Sequence, residues 1–309
     1  MKVCARNARG GILPQGLVSR QPSHPTSSSG RARFRQLHGY RLTGVLGRGA
    51  MGVVYSGRDE HTGAQVALKR SCRRTCSARQ TVDLACESAL LARLSHPNIV
   101  AFIEDFEHEG EHWLVMERID GQILWEWAKE RRPSLAARLA AVIDVGRALM
   151  AVHDAALIHC DLKPANIMRS YAGAIKLVDF GLAVSLEKAR SPAARARGLG
   201  TPGYAAPEQL LGRRLDVRAD VFGLCALGFE LLHGRPAFVG RDRAELRRRT
   251  IAGERSELDS GLSPELSRVF GRGLCPAAHE RWPSVRALLA ALTMTPEADA
   301  INDLYTLLD

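Results

Sequence analysis

Residues 158–168 read IHCDLKPANIM and residues 177–183 read LVDFGLA, and the way these two stretches are taken together decides the fold. The first sets Asp161, Lys163 and Asn166 at fixed spacing behind Cys160. The second ends a β-prone run on Asp179, with Phe180 and the flexible Gly181 after it. An Asn and an Asp on adjacent loops are hard oxygen ligands suited to Mg2+ bridging phosphates. A DxKxxN pattern alone occurs by chance in many chains, so the decision passes to the surrounding residues.

Upstream, YRLTGVLGRGAMGVVYSGRD (40–59) places two β-prone runs around a glycine-rich turn, and AQVALKR (64–70) supplies a third run. Gly47, Gly49 and Gly52 therefore lie between strands rather than between a strand and a helix, which argues against a dinucleotide-binding site. A glycine-rich hairpin lets backbone N–H groups approach phosphates without side-chain clash. Lys69 ends the third run, and a lysine there is costly unless its ammonium finds an anion. Glu87, on a helix expected over Val82–Leu94, could hold that ammonium towards a phosphate. HPNIVAFIEDF (96–106) and HWLVMERI (112–119) give two more strands, five in all with one helix.

After Asp120–Gly121 the pattern turns helical, with Leu135, Leu139, Val142, Leu149 and Met150 laying an apolar stripe along one face. Further helices are expected at Val217–His233, Arg243–Ala252, Pro264–Leu274 and Ser284–Leu292. The interval from Gly181 to about Ala205 shows no clear secondary structure before GTPGYAAPEQ (200–209) closes it. EADAINDLYTLLD, at 297–309, reads as a short amphipathic helix.

The chain has 309 residues, 46% of them apolar, enough for a buried core, and a formal charge of +10. Eight basic side chains and no acid fall within residues 1–41, so everything after Arg41 carries only +2. That segment is rich in Ser, Pro and Arg and lacks apolar periodicity, a disorder signature, although an Arg-rich, acid-free stretch also fits a transit peptide. The charge is thus no argument for nucleic acid, and the arginines at 241, 243 and 247–249 read as a solvated helix face. The apolar run Val221–Phe229 falls short of a membrane span. Seven cysteines without regular spacing fit a reducing compartment, and a cytoplasmic location is expected. Cys72 and Cys76 lack the second pair or nearby histidines that zinc would need.

GRGAMGVVY, VALK, HPNIV, LVMERIDG, HCDLKPANIM, DFG, GTPGYAAPE and DVRADVFGL stand in the order and at the intervals of protein kinases. From about Tyr40 to Leu292 the chain resembles the eukaryotic-like serine/threonine kinases found in bacteria. The resemblance implies an α+β, bilobal protein-kinase fold. A small antiparallel β-rich N-lobe with one helix (about 40–117) would sit on a larger, mostly α-helical C-lobe (about 120–293). The domain would span 37–293, between a disordered basic tail (1–36) and a C-terminal helical extension (294–309).

By the same resemblance the chain would transfer the ATP γ-phosphate to Ser/Thr hydroxyls of protein substrates, with ATP and Mg2+ as cofactors and no nucleic acid or membrane span involved. Gly47, Gly49 and Gly52 would cover the phosphates, Lys69 paired with Glu87 would grip them, and Asn166 and Asp179 would hold two Mg2+ ions. Asp161 would act as base, Lys163 would steady the γ-phosphate, and Thr201 would reach back to Asp161 and Lys163. Leu46, Val54 and Ala67 above and Met168 below would enclose adenine, with Met116 as gatekeeper and the Glu117–Ile119 backbone reading its edge. Glu208 with Arg281, and Asp220, would be structural. Cys160 departs from the pattern. Most family members have an arginine there that binds the phosphorylated activation loop. A cysteine cannot do so, which implies that loop phosphorylation is not required. A partly buried apolar filler and a redox-sensitive thiol are the two readings of Cys160. A pseudokinase and a kinase of small molecules on a related fold remain the alternatives for the whole chain.

Overall fold

The structure is a computed structural model and describes residues 36–49, 52–71, 84–189, 200–257 and 261–298. Most of the basic tail, Cys72 and Cys76, Arg190, Ser191, Arg195 and Arg197, and the end of the C-terminal extension lie outside these residues.

A six-stranded antiparallel sheet forms the N-lobe, in the spatial order β1, β2, β3, β4, β6, β5. Its strands are β1 (Gln36–Leu37), β2 (Tyr40–Gly49), β3 (Gly52–Asp59), β4 (Gln65–Ser71), β5 (Phe102–His108) and β6 (Glu111–Glu117). Five match the expected runs. The sixth, β1, has two residues, too few to show alternation, and exists through pairing of Gln36 with Arg41 and Leu37 with Tyr40. Gly52 opens β3 with φ +145, and a Cβ there would lie 2.1 Å from the Arg70 carbonyl, so the glycine-rich turn needs a glycine at this position.

Helix α1 (Leu84–Leu91) packs on β5 and β6 and buries Glu87. It ends short of Leu94 because the N–H groups of Arg93 and Leu94 turn back to the carbonyls of Leu90 and Leu91, tightening the chain ahead of Pro97. The segment after it ties the lobes together. Asn98 O and Leu177 O each accept a backbone N–H at 2.9 Å, from Leu177 and Val100, and Asn98 Nδ2 donates to Ile175 O.

The C-lobe begins with β7 (Gly121–Ile123), α2 (Leu124–Arg131) and α3 (Leu135–Asp154). Three short strands follow, β8 (Leu157–Ile158), β9 (Ile167–Ser170) and β10 (Ile175–Leu177), with β7, β9 and β10 forming a small sheet. Contrary to the expected structureless interval, β11 (Val184–Ser185) pairs with β8 and runs into α4 (Leu186–Ala189). Among the described residues the remaining α-helices are α5 (Pro207–Leu210), α6 (Arg218–His233), α7 (Arg243–Ala252), α8 (Pro264–Gly273) and α9 (Val285–Leu292), within a residue of expectation where the sequence marked them. Ser134, Asp242, Ser263 and Ser284 cap α3, α7, α8 and α9 by accepting backbone N–H groups. Helix α6 is buried on every side and forms the centre of the lobe against α3 and α8. Among the described residues no helix is long and apolar enough to cross a membrane.

Candidate active site

Strand β4 carries Lys69 to the cleft between the lobes, where burial would strip its ammonium of water. Two carboxylates answer that cost. Glu87 accepts from Nζ through both oxygens, at 2.7 and 2.8 Å, and Asp179 Oδ1 accepts at 2.9 Å. Burial opposes the charged lysine, yet Asp179 and Glu87 outweigh it and raise its pKa above the ordinary value. Burial also works against the Asp179 carboxylate, but Lys69 overcomes it and holds the carboxyl down at about 2. For Glu87 burial dominates and pushes the carboxyl up. The three groups form one charged cluster joining α1, β4 and the loop after β10.

The loop between β8 and β9 holds the second cluster. Asp161 is 5% exposed, and its Oδ2 accepts from Lys163 Nζ at 2.5 Å and from Asn166 Nδ2 at 3.1 Å. Its Oδ1 accepts from Thr201 Oγ1 at 3.1 Å. Asn166 Nδ2 also donates to the Asp161 carbonyl at 2.9 Å, which fixes the amide so that Oδ1 is the atom without a partner among the described residues. Asp179 Oδ2 is likewise unpartnered there, Oδ1 being taken by Lys69 and by the Gly181 N–H at 3.2 Å. The backbones of Asn166 and Asp179 are adjacent, since Val178 N–H donates to Asn166 O at 3.0 Å. Two hard oxygens on neighbouring loops, each with its other atom anchored, fit a divalent cation.

A turn with φ +65 at Cys160 presents Asp161. Asp220, on α6, braces this turn: Oδ2 accepts from His159 N–H at 2.8 Å and from His153 Nε2 at 2.9 Å, and Oδ1 from Cys160 N–H at 2.9 Å. Burial opposes the carboxylate, but the hydrogen bond from His153 and the neighbouring donors hold its pKa below the ordinary value. His153 is a partner that the sequence did not reveal, the penultimate residue of α3 with no motif around it. Gln209 Nε2 donates to the Cys160 carbonyl from α5. The Cys160 side chain is 5% exposed and packs with Ile158, Ala189, Leu182 and Leu215. Burial, reinforced by Asp220 and Asp161, pushes its thiol well above the ordinary value, the opposite of what a reactive thiolate needs.

Leu46 on β2, Val54 on β3, Ala67 on β4, Met116 on β6 and Ile119 belong to one apolar cluster that continues into the C-lobe core, and Met168 is half-buried on β9 opposite Ile123. The Glu117 N–H is engaged by Ala101 O at 2.9 Å, whereas the Ile119 N–H has no partner among the described residues. The Glu117 carboxylate, unmarked by the sequence, clamps the segment between the lobes, accepting from Lys176 Nζ at 2.5 Å and Ala101 N–H at 2.8 Å. Arg281 is wholly buried and forms a two-pronged pair with Glu208 at 2.7 and 2.8 Å.

Residues 40–291 match the family model described as the protein kinase domain. Over 263 residues the chain is 34% identical to a probable serine/threonine-protein kinase of Streptomyces coelicolor, covering 81% of this chain and 39% of that protein. It is 31% identical over 264 residues to the serine/threonine-protein kinase PknB of Mycobacterium leprae, 82% of this chain and 42% of the relative. With a serine/threonine-protein kinase of Myxococcus xanthus the identity is 33% over 266 residues, 82% and 38% of the two chains. The chain belongs to the protein kinase family, and these relatives put it with serine/threonine kinases of the bacterial type. It spans about two fifths of the length of the curated relatives it matches.

Proposed function

We propose that this chain transfers the γ-phosphate of ATP to serine and threonine hydroxyls of proteins, through a catalytic unit spanning 37–293. The observation that carries the reading is the simultaneous presence of both charged clusters: Lys69 shared between Glu87 and Asp179, and Asp161 held by Lys163, Asn166 and Thr201. Asp161 orients the substrate hydroxyl and accepts its proton, and Lys163 neutralises charge on the transferring group. Lys69, fixed by Glu87, grips the α- and β-phosphates beneath the turn of Gly47, Gly49 and Gly52. Asn166 and Asp179 would hold the metal ions. Mg2+, when bound there, supplies the charge neutralisation that phosphoryl transfer requires. Adenine lies among Leu46, Val54, Ala67, Met116 and Met168, with the Ile119 N–H and the Glu117 carbonyl at its edge.

Phosphorylation between Asp179 and Glu208 is not required for this activity. The position that would anchor a phosphate is Cys160, packed in apolar surroundings. Among the described residues the hydroxyls there are engaged: Thr201 donates to Asp161, Tyr204 to Glu230, and Ser185 Oγ accepts from Lys188 N–H at 3.2 Å. Incubation with labelled ATP, Mg2+ and a generic protein substrate tests the main reading. Wild type transfers label to Ser/Thr, while Asp161→Asn and Lys69→Met, both folded by circular dichroism, lose at least about 10²-fold in rate. Near-normal turnover by Asp161→Asn refutes the mechanism, and transfer to a small molecule alone would favour the small-molecule alternative.

A further inference from the structure

Any polypeptide that brings a hydroxyl to Asp161 must run past Thr201 and what packs behind it. Two residues beyond Thr201, Gly203 lies under Leu246 of α7, whose Cδ1 would stand 3.7 Å from a Cβ at that glycine. Helix α7 is held there by Arg247, whose guanidinium donates to the Leu210 carbonyl of α5 at 2.8 Å. The wall beside the acceptor position is therefore made of the 200–214 segment and α7, and its exposed side chains are mostly arginine.

The charges on this wall do not cancel. Glu245 and Glu254 are taken up by Arg241, Arg248 and Arg249, Asp216 by Arg218, Glu208 by the buried Arg281, and Asp242 accepts the Glu245 N–H at the start of α7. Arg213, Arg214, Arg243 and Arg247 are exposed and have no carboxylate partner among the described residues. Four guanidiniums without a carboxylate partner, on two elements that meet at Gly203 and Leu246 and at Leu210 and Arg247, create a positive field that attracts carboxylates.

We propose that Arg213, Arg214, Arg243 and Arg247 form a substrate-selecting surface that favours Ser/Thr acceptors flanked by aspartate and glutamate. The inference rests on the protein-kinase reading above and adds the class of sequence that reading leaves open. It concerns recognition rather than the chemical step, so the surface acts on peptide KM and leaves the rate on an uncharged peptide alone.

The test uses the full chain with three synthetic peptides carrying the same serine, flanked by Asp/Glu, by Ala/Gln, or by Lys/Arg. The expected order of kcat/KM is acidic, neutral, basic, with the acidic peptide ahead of the neutral one by at least about fivefold at low salt, in line with several exposed ion pairs acting together. The advantage shrinks in ~0.5 M salt because exposed charges are screened. Arg213→Ala/Arg214→Ala/Arg243→Ala, which spares Arg247 and its bond to Leu210, removes most of the preference through KM and keeps the neutral-peptide rate. Arg213→Glu/Arg214→Glu/Arg243→Glu turns the preference towards the basic peptide. Equal kcat/KM for acidic and neutral peptides overturns the inference while leaving the kinase reading intact, as does a preference that survives both variants. Loss of oligonucleotide binding in the alanine variant with peptide preference unchanged makes the patch a nucleic-acid surface and likewise overturns it. Failure to phosphorylate any peptide, with no autophosphorylation, defeats both readings.

Discussion

Replacing Asp220 with asparagine tests how the turn that presents Asp161 is held. The left-handed conformation at Cys160, φ +65, costs a residue with a Cβ about 1–2 kcal/mol. The Asp220 carboxylate overcomes that cost by accepting the N–H groups of His159 and Cys160 together with His153 Nε2. Asparagine has the same shape but only one acceptor oxygen, so its amide nitrogen faces a donor and at least one backbone N–H goes unpaired. Released from the brace, the turn populates its active geometry less by the factor that 1–2 kcal/mol implies, about 5–30. Asp220→Asn should therefore lose about 5–30-fold in kcat with little change in KM for ATP, since Asp220 does not line the nucleotide cleft. Glycine adopts positive φ without the Cβ penalty. In a Cys160→Gly background the same Asp220→Asn change should then cost no more than about threefold, the cycle measuring the coupling between brace and turn. Steady-state kinetics on a neutral peptide, with thermal melts to confirm folding, supply the four rates. Asp220→Asn within twofold of wild type, or an equal loss in both backgrounds, refutes the argument.

Three further outcomes follow from the same geometry. Arg281→Met leaves Glu208 charged without its partner and frees the carbonyls of Cys275, Arg218 and Pro276. Denaturant melts should show a loss of about 3–5 kcal/mol that Arg281→Met/Glu208→Gln partly recovers; a loss under about 1 kcal/mol would contradict it. Asp179 is held at about 2 against an ordinary 3.8, so its charge contributes stability that is complete above about pH 4 and is lost as pH falls towards 2. The amount is at most ~2 kcal/mol, because its side chain is 23% exposed, and Asp179→Asn should flatten the stability–pH curve in that window. Phosphatase-treated wild type and Ser185→Ala/Ser191→Ala should keep kcat/KM within about tenfold of untreated protein, or ~1.4 kcal/mol, and a larger drop means that the loop does need phosphate.

The sequence carried the near-neighbour chemistry well, because Asp161, Lys163 and Asn166 lie within one loop and their spacing alone lets them converge. Lys69 was legible as a buried cation in need of an anion, and Glu87 as one partner. Its second partner, Asp179, is separated by 110 positions, and nothing local to either residue records that contact. His153 escaped notice for the same reason: it sits on an ordinary helix and acquires its role through α6. The two-residue strands β1, β8 and β11 are too short for a period of two to appear, and they form because partners across the fold hold them. Helix α3 was legible since the apolar stripe of Leu135, Leu139, Val142, Leu149 and Met150 is a local property. The charge run on α7 is largely exposed, as a solvated face would be, but the sequence does not say which of its arginines carry an ion pair. Some of its arginines are neutralised within the helix and its following turn, while others are not.

Cys160 shows how a departure from a motif can be absorbed by the fold. An arginine here would tie the loop after Asp179 to the catalytic turn through a phosphate, and the chain has other ties between the same segments. Thr201 bonds to the Asp161 carboxylate, Gln209 to the Cys160 carbonyl, and β11 pairs with β8 directly ahead of the turn. The thiol then packs with Leu182, Val184, Leu186 and Ala189, so the side chain at 160 still couples turn to loop, by excluding water rather than by binding charge. Apolar burial of this kind is present from the moment the chain folds and responds weakly to salt or to a phosphatase. Residues 182–189 and 200–209 are thus joined to the catalytic turn by strand pairing, hydrogen bonds and packing, and these ties are the ground for proposing that no loop phosphate is needed.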